Sequence, residues 1–112
     1  MYNINLNELE MIVYNNDSAY VLSNNKKIEV SLVITNQRLI LLEDGNKLGN
    51  LNTILKTTKG MSFIPNREII FEVSLEQIIA TIPGEYVKLI LSNSTFVEIQ
   101  DVNIIHILEN IN

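Results

Sequence analysis

Ile28-Glu29-Val30-Ser31-Leu32-Val33-Ile34-Thr35-Asn36-Gln37-Arg38-Leu39-Ile40-Leu41-Leu42-Glu43-Asp44 is the stretch on which the fold is decided. Its first half alternates, with Ile28, Val30, Leu32 and Ile34 on one face and Glu29, Ser31 and Thr35 on the other, the period of a strand with one buried face. The apolar run Leu39-Ile40-Leu41-Leu42 is too short for a helix and follows Asn36-Gln37. Asn tolerates the positive φ of a tight turn, so the reading is a β-hairpin that turns at Asn36-Gln37.

Working outward, further strands are expected at Ile69 to Ser74, Ile78 to Ile82, Tyr86 to Leu91 and Thr95 to Ile99. Pro83-Gly84 and Ser92-Asn93-Ser94 are the turns between them. Upstream, Glu10 to Tyr14 and Ala19 to Ser23 are split by Asn15-Asn16-Asp17-Ser18, which gives either a first hairpin or one bent strand. After Ile99 the period changes. Ile104, Ile107, Leu108 and Ile111 recur at helical spacing behind Asp101, an expected N-cap, so one amphipathic helix from about Asp101 to Ile111 closes the chain. The fold class is mainly β, an antiparallel barrel or sandwich of short strands with one C-terminal α-helix.

At 112 residues the chain, residues 1–112, reads as a single domain. With no cysteine it has no disulfide, thiol nucleophile or thiolate metal site, and a single histidine makes no His cluster for a metal. The first residues lack a basic start and an apolar core, and no run approaches a membrane span, so a soluble cytoplasmic protein is expected. A net charge of -5 argues against nucleic acid.

Val33-Ile34-Thr35-Asn36-Gln37-Arg38-Leu39-Ile40-Leu41-Leu42 resembles the hairpin motif of the GRAM and bacterial pleckstrin-homology-like domains, in which Thr-Asn-x-Arg-Leu precedes three apolar residues. Glu72-Val73-Ser74-Leu75-Glu76-Gln77-Ile78 is similar to a second segment of that family, and the likeness runs from about Glu10 to the C terminus. It departs from the pattern at Gly45 to Arg67, a connection longer than the family's. What the resemblance implies is a pleckstrin-homology-like fold, a strongly bent antiparallel sheet of about seven strands forming a partly open barrel with one end closed by the helix. Such a fold leaves function open. Better-known members recognise phosphoinositides with clustered basic residues between their first two strands. Here that place offers Asn24-Asn25-Lys26-Lys27, and two lysines on an acidic domain make a weak anion trap.

No catalytic set emerges. His106 falls on the polar face of the expected helix, and Glu8, Glu10, Glu43, Asp44, Glu72 and Glu76 read as solvated carboxylates. Arg38 is expected to lay its stem over the hairpin edge and pair its head with a carboxylate or carbonyl. No enzyme activity and no cofactor is expected. The informative asymmetry is Gly45 to Arg67, which carries Lys47, Lys56, Lys59 and Arg67 and no acid. That is +4, and since the whole chain is -5, the remainder carries -9. The stretch is also apolar, with Leu55 and Phe63 among its large side chains, as in segments that meet an anionic membrane or an acidic partner. The expected binding surface is therefore Lys26, Lys27, Lys47, Leu55, Lys56, Lys59, Phe63 and Arg67. The expected function is a non-catalytic module for contact with a protein partner or a second copy, with sheet edges as one route. The alternative is a membrane-surface adaptor that binds anionic lipid through 45–67.

Overall fold

A computed structural model describes residues 4–44 and 67–111. Seven antiparallel strands, β1 (Ile12–Ser23), β2 (Lys26–Thr35), β3 (Arg38–Asp44), β4 (Arg67–Ser74), β5 (Ile78–Ile82), β6 (Val87–Leu91) and β7 (Phe96–Gln100), are followed by helix α1 (Ile104–Asn110). They form one open sheet in the order β4-β3-β2-β1-β7-β6-β5. Two meanders meet at β1, where Tyr20, Val21 and Leu22 pair with Glu29, Ile28 and Lys27 of β2 on one side and with Gln100, Ile99 and Glu98 of β7 on the other.

The polar run Asn15 to Ser18 does not end a strand. The register shifts between Asn16 and Ala19, and β1 continues through the irregularity. Such bulges sharpen twist and bend a strand, so of the two readings open from sequence the single bent strand is the one adopted. The positive φ expected at Asn36 is found elsewhere. Asn24 and Asn25 sit at φ 51° and 64° between β1 and β2, two successive left-handed residues as a tight two-residue hairpin requires. Lys26 and Lys27 therefore start β2 and do not lie in a loop.

The main core gathers alternate residues from both meanders: Val21, Val30, Leu32, Ile34, Leu39, Leu41, Leu89 and Ile99, closed by Ile104 of α1. Ile105, Ile107, Leu108 and Ile111 pack against it. The second half of β2 is buried on both faces, contrary to a strand with one wet side. Ser31 and Thr35 are covered, and Val33, Ile40 and Leu42 form a second cluster with Ile4 against it. Here Ile4 and Glu10 of the N-terminal segment lie against the face that alternation assigns to solvent.

The terminal helix is shorter than its apolar repeat. Asn103 precedes it without a side-chain cap. Asp101 is buried and accepts hydrogen bonds from Tyr14 Oη at 2.9 Å, Asn16 Nδ2 at 2.6 Å and Asn103 N at 2.7 Å. It thus ties the start of α1 to β1 and does not act as the N-cap. Burial, reinforced by that carboxylate, pushes the Tyr14 hydroxyl above its usual pKa. An isolated helix of this length is unstable in water, so its order comes from docking. Ile104→Ala should lower stability by about 3 kcal/mol, read as a fall in the urea midpoint. An unchanged midpoint would show that α1 is not seated on the core.

Candidate functional site

The hairpin motif of the sequence is the hub of the molecule's polar contacts. Thr35 Oγ1 accepts from the backbone N–H groups of Gln37, 3.0 Å, and Arg38, 2.9 Å, and donates to Glu10 Oε2 at 2.6 Å. Asn36 bridges to the segment before β1, its Oδ1 accepting from Met11 N and its Nδ2 donating to Leu9 O. The turn is thus held by side chains, and no residue in it has positive φ. Gln37 O accepts from Leu75 N at 3.0 Å, which joins the hairpin to the 3-10 turn Leu75–Gln77.

Arg38 completes the hub. Its Nε lies 2.8 Å from Glu10 Oε2 and its Nη2 3.1 Å from Oε1, a bidentate pair, while Nη1 reaches Glu72 at 2.8 Å and Nη2 also reaches Asn5 O at 2.7 Å. The expected carboxylate and carbonyl partners are both present. Glu10 is a correction to the solvated reading, being 6% exposed. Its oxygens accept from Asn7 N, Arg38 Nη2, Thr35 Oγ1 and Arg38 Nε. A carboxylate offers about four lone-pair sites, so none remains for a substrate. The Arg38 hydrogen bonds outweigh the cost of burial and hold the Glu10 pKa down at about 2.

Beside this hub lies an open groove. One wall is the C-terminal part of β4, the 3-10 turn and β5, and the other is α1 with the residue after it, presenting Ile105, Leu108 and Ile111. β5 is the last strand of the sheet, so its outer N–H and C=O groups have no strand partner among the described residues. Its side chains are uncovered too, with Ile79 63% and Ile82 51% exposed. The 3-10 turn is braced on both sides. Ser74 Oγ accepts from Glu76 N, Gln77 Oε1 accepts from Ser74 N, and Gln77 O accepts from Ser92 N. That fixes Glu76 at the rim of the groove.

Of the sequence's expected surface, Lys26 and Lys27 do not line that groove. Lys26 and Lys27 are exposed on the β1–β2 hairpin, Lys27 Nζ sitting 4.2 Å from the centre of the Tyr20 ring. Arg67 opens β4. Lys47, Leu55, Lys56, Lys59 and Phe63 lie outside the described residues. Sequence reasoning passed over the β5 edge. The signal was legible, since Ile78 to Ile82 has no charge whereas β4 carries Glu68 and Glu72. Comparison with protein-family models, with curated proteins and with solved structures gives no match.

The latch yields a pH prediction. Glu10 has a folded pKa near 2 against an ordinary 4.5, so its contribution to stability is complete above pH 4.5 and is lost as pH falls towards 2. Glu10→Gln should reduce stability at neutral pH by about 3 kcal/mol and flatten the acid limb of stability against pH, measured by urea unfolding across that window. Parallel wild-type and variant curves would refute the latch.

Proposed function

We propose that this chain is a non-catalytic binding module of the pleckstrin-homology-like kind that takes up an extended protein segment along the free edge of β5. The observation that carries this reading is an unguarded edge strand beside an apolar helix face. Edge strands are normally blunted by charges, proline or a cover, as β4 is by Glu68 and Glu72. β5 has none of these within Ile78–Ile82 and opens onto a groove walled by Ile105 and Leu108 of α1 and by Ile111 just after it. A segment lying there gains main-chain hydrogen bonds from the strand and side-chain burial from the helix, which is strand addition with a specificity pocket. The strand order and terminal helix support the family resemblance of the hairpin motif, and the saturated Glu10 supports a structural use of that motif.

The lipid-adaptor reading rests on 45–67, of which the described residues include only Arg67. Lys26 and Lys27 add two charges on an acidic chain, and Lys27 is engaged with Tyr20. Strand capture is therefore the reading preferred.

A random dodecapeptide library displayed on phage, panned against the wild-type protein, should yield binders that Ile79→Lys with Ile82→Lys no longer retains. Both positions are exposed, so the variant should fold. Binders that hold both proteins equally, or co-sedimentation with phosphatidylserine vesicles that survives the same substitutions while no peptide is retained, would place the functional surface away from β5.

A further inference from the structure

Resting on that reading, we infer that the occupant of the β5 groove is a cationic extended segment of a different protein, and neither a second copy of this chain nor a phosphate-bearing ligand. The charged side chains lining the groove are Arg38, Glu72, Glu76 and Glu109. The one cation among the described lining residues is already committed, its guanidinium being held by Glu10 and Glu72. Glu76 and Glu109 are exposed at the rim, one on the braced 3-10 turn and one on α1. The uncommitted rim charges among the described residues are therefore negative, Lys88 opposite Ile82 on β6 having its ammonium 4.6 Å from the centre of the Phe96 ring, and rim charges of one sign select partners of the other through encounter rate and through repulsion of the wrong ones.

A second copy meets that repulsion directly. In an antiparallel pair of β5 strands centred on Ala80, Ile78 of one copy faces Ile82 of the other, so Glu76 of one copy and Glu85 of the other both lie beyond the same end of the pair. Like charges gathered at each end repel. Two chains of net charge -5 add a general repulsion. A phosphate group approaching Glu76 and Glu109 meets the same sign. A segment with small or β-branched residues to lie along Ile79 to Ile82, and lysine or arginine at its flanks to reach Glu76 and Glu109, meets each demand of the groove.

The test reads the sequences of the panned dodecapeptides and the affinity of one recovered peptide by fluorescence anisotropy. Peptides that depend on Ile79 and Ile82 should be enriched in lysine and arginine. Their affinity should fall about tenfold between low and high salt and by a similar factor on Glu76→Lys with Glu109→Lys. Panning on that charge-reversed protein should recover acidic peptides. The gentler Glu76→Gln with Glu109→Gln should give a smaller loss and guards against a misfolded variant. Neutral or acidic peptides on the wild type, or affinity indifferent to salt and charge reversal, overturn the charge rule while leaving the β5 site standing. A dimer mass by light scattering that Ile79→Lys abolishes makes the occupant a second copy, which also overturns it. If no β5-dependent peptide is retained, the binding reading and its charge rule both fall.

Discussion

The buried pair between Glu10 and Arg38 is the constraint on which the rest of the structure depends. Four pieces of chain meet at that guanidinium and at the carboxylate it clasps: the segment before β1 through Asn5, Asn7 and Glu10, the end of β2 through Thr35, the start of β3, and β4 through Glu72. Burying one carboxylate costs several kcal/mol unless it is fully paired, and here every acceptor site is filled. The pair therefore acts as a geometric specification. The segment before β1 has one place where Glu10 is satisfied, and lying there puts Ile4 against Val33, Ile40 and Leu42.

That arrangement has a local cost. Leu9 adopts φ 63° with its side chain 85% exposed, a conformation a residue with Cβ enters at a cost of about 1 kcal/mol or more. The reversal it makes allows Asn7 N to reach Glu10 and Leu9 O to accept from Asn36 Nδ2. The hydrogen bonds around the latch outweigh the strain. The same hub reaches the groove, because Gln37 O holds Leu75 N and so sets the corner from which β5 departs. A scaffold interaction at one end of the hairpin thereby positions the sheet edge and the rim carboxylate Glu76.

Much of this was legible in the residues. The strand from Ile78 to Ile82 and the ends of β2 and β3 around Asn36-Gln37 follow from period and turn chemistry, because a half-buried strand imposes alternation on its own sequence. The partners of Arg38 were legible as types, a carboxylate and a carbonyl. What local pattern does not contain is which carboxylate. Glu10 lies 28 residues away in sequence from Arg38, and only the antiparallel return of β1 along β2 brings them together. Burial of Thr35 and Ser31 escaped for the same reason, since alternation reports the face a strand offers and not whether another segment covers the opposite one. Asp101 looked like an N-cap because its spacing from the apolar repeat is right, yet its carboxylate is used by Tyr14 and Asn16 of a distant strand.

The charge distribution separates two roles that a sequence presents together. Acidic residues outnumber basic ones 13 to 8, and from composition alone the excess is a solubility feature. Asp101 apart, buried against Tyr14 and Asn16, the carboxylates around the hub and the groove divide into a buried one neutralised by Arg38, a half-exposed one, Glu72, sharing that cation, and two at the groove rim. Net charge cannot report this division, because the first spends its field inside the protein and the last two direct theirs over an uncovered strand. An unguarded strand edge is a hazard for any protein, since it pairs with whatever extended chain arrives, its own copies included. On the proposed reading, two carboxylates at the rim, with a third, Glu85, beyond the strand's far end, would lessen that hazard for an acidic chain while leaving the edge open to a basic one. The same residues would then act both as protection against self-association and as selection of a partner.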